Sequence, residues 1–158
     1  MSPENRLRAL GLELPAAAKP LGAYVPAVRT GNLIVTSGQV PVKDGELLAA
    51  GKVPTAVPLD VAQAAAMQAA LNALAAVRAV LTEADPSASL DRVVRVVRLN
   101  VFVNSAANFT DQAKVANGAS ELLVAAFGEA GRHTRCAVGA AELPLNAPVE
   151  LDLTVEVR

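Results

Sequence analysis

The stretch from Asp91 to Ser105, DRVVRVVRLNVFVNS, decides how the rest of the chain is arranged. Its arginines stand three residues apart, at Arg92, Arg95 and Arg98, and this spacing alone would suit the polar stripe of a helix. The other positions are rich in valine, however, and β-branched residues are favoured in strands. A strand with so few polar interruptions is typical of the interior of a sheet. The stretch therefore predicts a central strand.

Amphipathic segments on either side of this strand predict two long helices. The segment PLDVAQAAAMQAALNALAAVRAVLTEADP repeats its apolar residues at steps of three and four, with Asp60 near its start and Pro86 as its stop. The segment TDQAKVANGASELLVAAFGEAG is expected to be capped by Thr110 and to end at Gly128 or Gly131. The alanines of the first helix would let it lie close to a sheet.

Further strands are predicted from short runs of β-prone residues. Between the first two, the sequence TGN predicts a hairpin turn, because Gly31 can adopt a positive φ. The last two are joined by LPLNA, and the proline- and glycine-rich segment of residues 40–57 is expected to be a loop with one small strand. The predicted ranges are Val25–Arg29, Leu33–Thr36, Glu46–Leu48, Thr134–Ala141 and Pro148–Val157.

This order of elements predicts a single domain over residues 1–158, a two-layer α/β sandwich of the α+β kind with both long helices on one face of the sheet. Ser2 and Pro3 suit the N-cap and the first residue of a helix, and Gly11 suits its end. We therefore expect a short helix within an N-terminal helical extension of residues 1–21, followed by LPAAAKPLG as a connector.

Composition limits the possible functions of the chain. Of its 158 residues 53% are hydrophobic but only 3% aromatic, so the core is built from small side chains and leaves room for a subunit interface. The net charge of −1 does not favour nucleic acid or an anionic membrane as a partner. One cysteine excludes an intrachain disulfide, and with one histidine beside it no zinc site is expected. A charged N-terminus and the lack of a long uncharged apolar run predict a cytoplasmic protein without a membrane span.

Arg135 is the most unusual residue of the predicted strands. Its neighbours on the same strand face are small, Ala137, Gly139 and Ala141, which leaves space beside the guanidinium. That space would suit a ligand carboxylate, which a guanidinium holds through two parallel hydrogen bonds. The other interpretation is an ion pair with an acidic residue or with a neighbouring subunit, and composition alone favours it.

The remaining polar residues of the last strands carry weaker signals. Glu150, Asp152 and Glu156 alternate with apolar residues, and Glu150 is the best candidate for a functional carboxylate because it lies where the strand begins. His133 and Cys136 would suggest a nucleophilic pair, but residues three apart on a strand point to opposite faces. We therefore do not expect that pair to form.

Several motifs occur together in a fixed order: YVPAVRTGNLIVTSGQVP, a helix beginning DVAQAA, LNVFVNSAANF, an arginine eight residues before LP, and VELDLTVEV. With these motifs, over about residues 22 to 158, the chain resembles the Rid/YjgF family of imine and enamine deaminases, as a longer, divergent subgroup. The resemblance implies a chorismate-mutase-like fold of the bacillus type, a homotrimer and active sites in clefts between subunits. It also implies hydrolysis of reactive 2-imino or 2-enamino acids to 2-keto acids and ammonia, without metal or cofactor.

The resemblance assigns roles to individual positions. Arg135 falls on the family's carboxylate-binding arginine and Glu150 on the acidic residue that positions water, so these two are the expected catalytic residues. The expected substrate-binding residues are Tyr24, Ser37, Gly38, Asn117, Cys136 and Ala137.

Two points stay open at the level of sequence. A tight hairpin at LPLNA would place Arg135 opposite about Glu156, so a meeting with Glu150 would need a longer loop, a water bridge or a neighbouring subunit. The chain could also be a non-catalytic trimer that binds 2-keto acids, or, as some family names suggest, an endoribonuclease. The pI of about 5.8 and the scarcity of stacking aromatics disfavour the endoribonuclease.

Overall fold

The computed structural model describes residues 1–17 and 22–158, so the predicted connector LPAAAKPLG falls partly outside the described residues. Short 3₁₀ turns precede β5 and β6 and lie between β6 and β7. The predicted alternation of strands with two long helices is confirmed. The elements are α1 (Pro3–Ala9), β1 (Ala27–Thr30), β2 (Leu33–Thr36), β3 (Val42–Lys43), β4 (Glu46–Leu47), α2 (Leu59–Ala84), β5 (Val93–Asn104), α3 (Gln112–Phe127), β6 (Thr134–Ala140) and β7 (Val149–Val157).

Strand β5 lies in the interior of a five-stranded sheet with the order β1-β2-β7-β5-β6. It pairs with β7 in the antiparallel sense and with β6 in the parallel sense, so both of its edges are hydrogen-bonded. The prediction of a central strand from the valine-rich stretch is therefore confirmed. Strands β3 and β4 form a separate hairpin, of which the sequence predicts only the second strand.

The connection between β6 and β7 differs from the prediction. The two strands are not neighbours, because β5 lies between them. Residues Pro144–Asn146 form a 3₁₀ turn in which Leu145 has a φ of 59°. Beyond the turn, the carbonyl of Pro148 accepts a hydrogen bond from the backbone N–H of Asn104 at the end of β5. The segment LPLNA therefore crosses the end of β5 and does not form a hairpin.

Both long helices pack on one face of the sheet, the helix face, as the sequence predicts. Helix α2 contributes mainly alanine to this interface, and small side chains allow close packing. By length and composition α2 could cross a membrane, but 67% of its most apolar window is buried inside the protein, as expected of a core helix. Alternate residues of β5 and β7 on the helix face are at most 1% exposed: Leu99, Val101, Val103, Leu151, Leu153 and Val155.

The opposite face of the sheet is covered by no helix of residues 1–17 and 22–158, and we call it the open face. Residues of β7 that point to it are half-buried and alternate with the fully buried ones. Apolar side chains on this face remain partly exposed, with Val28 at 53%, Phe102 at 37% and Val138 at 41%. One side of the sheet is thus dry, and the other presents apolar surface to solvent.

The N-terminal helix forms as predicted. The Ser2 hydroxyl accepts a hydrogen bond from the backbone N–H of Asn5 (3.1 Å), and Pro3 is the first helical residue. Gly11, with a φ of 73°, lies just beyond the end of the helix. Leu7 is 1% exposed, so α1 is held to the body of the protein by apolar contact.

The predicted starts of α3 and β1 are corrected, and the other strand ends that differ do so by one residue. Helix α3 begins at Gln112 with Asp111 in the cap position, so Thr110 is not the cap. Strand β1 begins at Ala27 and not at Val25, because Pro26 has no N–H to donate to a ladder.

Helices α2 and α3 approach closely at Gly118, where a Cβ atom would overlap the backbone carbonyl oxygen of Gln63. We expect Gly118→Ala to lower the free energy of unfolding by about 1–3 kcal/mol, because the added methyl group pushes the helices apart. At an uncrowded helix position the same change would stabilise by about 1 kcal/mol, so the sign is diagnostic. Urea denaturation followed by circular dichroism measures it, and a stabilised variant would contradict the close contact.

Candidate functional site

Arg135 lies on the edge strand β6, with its side chain on the helix face beside α3. Its Nη1 atom donates hydrogen bonds to Asn117 Oδ1 (2.9 Å) and to Ser120 Oγ (3.1 Å). Asn117 and Ser120 are three residues apart and therefore share one face of α3. Two of the predicted site residues, Arg135 and Asn117, are thus in direct contact.

The Arg135 guanidinium is exposed and forms no ion pair with any carboxylate of residues 1–17 and 22–158. The intrachain ion pair that composition favours is therefore not formed in this part of the chain. Within the same ranges, every hydrogen bond of the side chain leaves from Nη1. The N–H groups of Nε and Nη2 remain available to a ligand.

The small residues on the Arg135 face of β6 have their own packing roles. Ala137 is half-buried and packs against the hydrophobic core. At Gly139 a Cβ atom would come within 3.0 Å of Ser105 Oγ and 3.2 Å of Gln112 Nε2. Gly139 is therefore small because Ser105 and Gln112, the latter at the start of α3, pack against it. The sequence predicts only that it leaves space beside Arg135.

His133 also belongs to the neighbourhood of Arg135. Its Nε2 atom lies 3.0 Å from Ser120 Oγ and its Nδ1 atom 2.6 Å from the carbonyl oxygen of Gly131. The side chain of Cys136 points to the open face, in register with Asn100, so His133 and Cys136 do not meet, as their spacing predicts. We call Arg135, Asn117, Ser120 and His133 the arginine half-site.

Glu150 lies on the open face, at the start of β7. The space above Gly38 is filled by the Glu150 carboxylate, because a Cβ atom on Gly38 would overlap Oε1. Ser37, the residue before Gly38, is fixed by two hydrogen bonds. Its backbone N–H donates to the Pro26 carbonyl (2.8 Å) and its hydroxyl donates to the Val25 carbonyl (2.6 Å). Tyr24, next to Val25 in sequence, is 55% exposed. We call Ser37, Gly38 and Glu150 the carboxylate half-site, and the expected role of Tyr24 stays a prediction.

The surroundings of Glu150 make it a stronger base than a surface carboxylate. Burial raises the pKa of the Glu150 carboxyl above its usual range, and the negative charge of Asp152 on the same strand face raises it further. Asp152 is itself held in place, because Asn100 Nδ2 donates to its Oδ1 (2.8 Å). A carboxylate with a raised pKa accepts a proton from water more readily than an exposed one.

The two half-sites do not meet within one chain. Arg135 is in register with Leu99 on β5, which is in register with Leu153 on β7, so Arg135 lies level with neither Glu156 nor Glu150. From standard strand spacing, the Cα atoms of Arg135 and Glu150 are about 14 Å apart. Their side chains also point to opposite faces of the sheet. The placement of Arg135 opposite Glu156, which a tight hairpin would give, is therefore wrong.

Sequence reasoning missed Ser120 and the contact between Gly38 and Glu150. The three-residue step from Asn117 to Ser120 on a predicted helix is a signal that could have identified Ser120. The resemblance assigns both Gly38 and Glu150 to the site, but no local pattern predicts their contact, because the pairing of β2 with β7 is long-range. Among the described residues, no group of three or more His, Cys, Asp or Glu side chains is arranged to hold a metal ion.

The raised pKa of Glu150 predicts a pH-dependent cost to stability. The folded protein favours the neutral carboxyl, so stability is full below the unfolded pKa of about 4.3 and is lost as pH rises through the higher folded pKa. We expect Glu150→Gln to have a higher Tm than the wild type at pH 8 and a much smaller advantage at pH 4, measured by scanning calorimetry. Glu156→Gln is the matched control on the same strand face, where the lost carboxylate accepts a hydrogen bond from Asn32. An advantage that is equal at both pH values would contradict the prediction.

Comparison with known proteins gives relatives over nearly the whole chain. The family described as "YjgF/chorismate_mutase-like, putative endoribonuclease" matches residues 4–157. Protein TCP17 of Trypanosoma cruzi is 47% identical over 153 residues, 96% of this chain and 92% of that protein. A 2-iminobutanoate/2-iminopropanoate deaminase of Dermatophagoides farinae is 31% identical over 147 residues, 93% of this chain and 95% of that protein. The crystal structure of the protein Atu1372 of Agrobacterium tumefaciens has a TM-score of 0.89 at 44% identity, over 99% of this chain and 92% of that one.

The family match begins within α1 and ends at the last residue of β7, so it includes both half-sites. The mixed sheet with long helices on one face agrees with the chorismate-mutase-like fold that the motifs imply. By sequence and by fold, this chain belongs to the YjgF/chorismate-mutase-like family.

Proposed function

We propose that the protein hydrolyses reactive 2-imino or 2-enamino acids to 2-keto acids and ammonia, at sites formed between the copies of a homotrimer. The observation that carries this proposal is the division of the candidate residues into two half-sites, one offering an exposed guanidinium and the other a partly buried base. The family membership and the 31% identical deaminase of Dermatophagoides farinae support the same chemistry.

The arginine half-site suits the recognition of the substrate. The guanidinium of Arg135 would hold the substrate carboxylate through two parallel hydrogen bonds and so orient the imine carbon C2 towards a bound water. This grip needs two N–H groups on one edge, which Nε and Nη2 supply. Substrates without a carboxylate would lose this interaction.

The carboxylate half-site suits the activation of water. Glu150 would take a proton from the water as its oxygen attacks C2 of the imine protonated on nitrogen, forming a neutral tetrahedral carbinolamine. The protonated Glu150 would then give this proton to the amino nitrogen. As the C2–N bond breaks and ammonia leaves, the Glu150 carboxylate would take the proton of the carbinolamine hydroxyl, so that the C2–O bond becomes the carbonyl of the 2-keto acid. General base catalysis of this kind contributes about 10²–10⁴-fold.

Assembly would bring the half-sites together. The open face presents Val28, Phe102 and Val138 to solvent in the isolated chain, and burying such apolar surface between copies is favourable. Since Arg135 and Glu150 lie on opposite faces of one sheet, a complete site needs the arginine half-site of one copy and the carboxylate half-site of another. A trimer closes such a contact symmetrically.

Substitutions at the two half-sites should affect different kinetic constants. In a coupled assay, where an amino-acid oxidase generates 2-iminopropanoate, we expect Arg135→Ala to lower kcat/KM about 30-fold or more, because a charged hydrogen-bonded contact is lost. Glu150→Gln should lower kcat by about 10²-fold or more. Arg132→Ala is the matched control, since Arg132 is exposed and pairs with Glu129 (3.1 Å). If the wild type clears the imine no faster than buffer, the proposal is wrong.

Mixing the two impaired variants and measuring kcat/KM tests the shared site. After unfolding and joint refolding of Arg135→Ala with Glu150→Gln, random assembly should restore about a quarter of the wild-type activity, because one site in four combines two intact half-sites. Each variant refolded alone serves as the control. No recovery, with mixed trimers demonstrated by mass spectrometry, would show that both residues of a site come from one chain.

The same proteins separate the rival functions. Binding of 2-oxobutanoate in calorimetry, without turnover of 2-iminopropanoate, would favour a non-catalytic 2-keto acid-binding trimer. Cleavage of RNA that Arg135→Ala abolishes would favour the endoribonuclease named in the family description.

A further inference from the structure

A hydrogen-bonded chain of three side chains runs from Arg135 through Ser120 to His133. Arg135 Nη1 donates to Ser120 Oγ (3.1 Å), and Ser120 Oγ lies 3.0 Å from His133 Nε2. At its far end, His133 Nδ1 lies 2.6 Å from the carbonyl oxygen of Gly131. The chain therefore ties the guanidinium to the backbone just after α3.

The direction of each hydrogen bond follows from the chemistry of the groups. The carbonyl of Gly131 can only accept, so Nδ1 carries a proton, and in the neutral imidazole Nε2 then accepts from the Ser120 hydroxyl. The oxygen of Ser120 at the same time accepts from Arg135. With a neutral His133 that carries its proton on Nδ1, each donor among Arg135 Nη1, the Ser120 hydroxyl and His133 has an acceptor within this set of hydrogen bonds.

The backbone end of this chain is rigidly placed. A Cβ atom on Gly131 would overlap the carbonyl oxygen of Leu123, so Gly131 lies directly against the last turns of α3. Gly131 is itself buried. The acceptor that fixes His133 therefore belongs to the same packed unit as Ser120.

The hydrogen bonds to Asn117 and Ser120 occupy both N–H groups of one guanidinium nitrogen of Arg135. Nη1 carries two N–H groups, and one donates to Asn117 while the other donates to Ser120. Of the guanidinium edges that match a carboxylate, the edge formed by Nε and Nη2 keeps both of its donors. By contrast, Nε of Arg132 donates to the Glu129 carboxylate, so the Nε–Nη2 edge of Arg132 does not keep both donors for a ligand.

We propose that Ser120 and His133 are positioning residues that anchor Nη1 and thereby direct the substrate carboxylate to the Nε–Nη2 edge of Arg135. This inference rests on the proposed function, because it takes a carboxylate as the ligand of Arg135. An anchored arginine has already lost its rotamer freedom during folding, so less freedom is lost when the ligand binds. The hydrogen bonds from Arg135 through Ser120 to His133 therefore act on the affinity for the substrate carboxylate and leave Glu150, the proposed base, unchanged.

The tautomer of His133 gives a test that needs no ligand. His133 is the only histidine of the chain, so its imidazole ¹⁵N signals are assigned without ambiguity. We expect the wild type to show the Nδ1–H tautomer in a long-range ¹H–¹⁵N spectrum. Ser120→Thr, which keeps the hydroxyl, should leave both ¹⁵N signals in place. Ser120→Ala should keep the Nδ1–H tautomer, because the Gly131 carbonyl still accepts from Nδ1, but should shift the Nε2 signal, because Nε2 loses its hydrogen bond. An Nε2–H tautomer in the wild type would overturn the proposal.

Ligand affinity tests the consequence for function. We expect Ser120→Ala to raise the Kd for 2-oxobutanoate in calorimetry, and the KM for 2-iminopropanoate, by about five- to tenfold, as loss of one hydrogen bond does. The kcat should stay within about twofold of the wild type, because the base is unchanged. Ser120→Thr should restore both constants, and Ser87→Ala, at an exposed loop serine, is the control.

The outcomes separate this inference from the proposed function. Turnover by the wild type with an unchanged KM in Ser120→Ala would overturn the positioning role alone. Binding of 2-oxobutanoate by the wild type, weakened in Ser120→Ala but without turnover, would overturn the catalytic proposal alone. No binding and no turnover by the wild type would overturn both.

Discussion

The pairing of β5 with β7, which runs from Val93 opposite Val157 to Val103 opposite Val149, is the constraint on which the other features depend. Because β7 occupies one edge of β5, β6 can pair only with the other edge and becomes an edge strand. The two-residue period of a strand then decides the face of every side chain. Arg135 is directed towards α3, and Glu150 is directed away from it.

Under the proposed function, this arrangement separates carboxylate binding from proton transfer within one chain. A guanidinium close to Glu150 would favour the charged carboxylate and lower its pKa. With Arg135 on the other face, the surroundings of Glu150 consist of partial burial and the charge of Asp152, and both raise its pKa. Within one chain, the fold thus raises the pKa of Glu150 at a cost to the stability of the folded chain.

Local rules predicted the elements well, because their signals lie within a few residues. The Ser2–Pro3 cap, the alanine-rich α2 and the alternation in β7 each depend on neighbours in sequence. The chorismate-mutase-like fold could also be named from ordered motifs. The proximity of Asn117 and Arg135 was reached only through the family resemblance.

The remaining features depend on contacts between distant segments. Whether LPLNA makes a hairpin or crosses β5 is decided by the end of β5, where Asn104 binds Pro148. The contact of Glu150 with Gly38 follows from the pairing of β2 with β7, and no local pattern reports it. The sequence showed His133 only as a neighbour of Cys136, whereas its partner Ser120 lies on another element.

The contact at Gly118 has a consequence beyond packing. Gly118 stands between Asn117 and Ser120 on α3, and its lack of a Cβ atom lets α3 approach the α2 backbone at Gln63. A shift of about 1 Å in catalytic groups can change rates about 100-fold. The interface between α2 and α3 therefore helps to position Asn117 and Ser120, the residues of the arginine half-site that lie on α3. Under the proposed function, variation inside this apolar layer would change ligand affinity in a chain whose site residues are all unchanged.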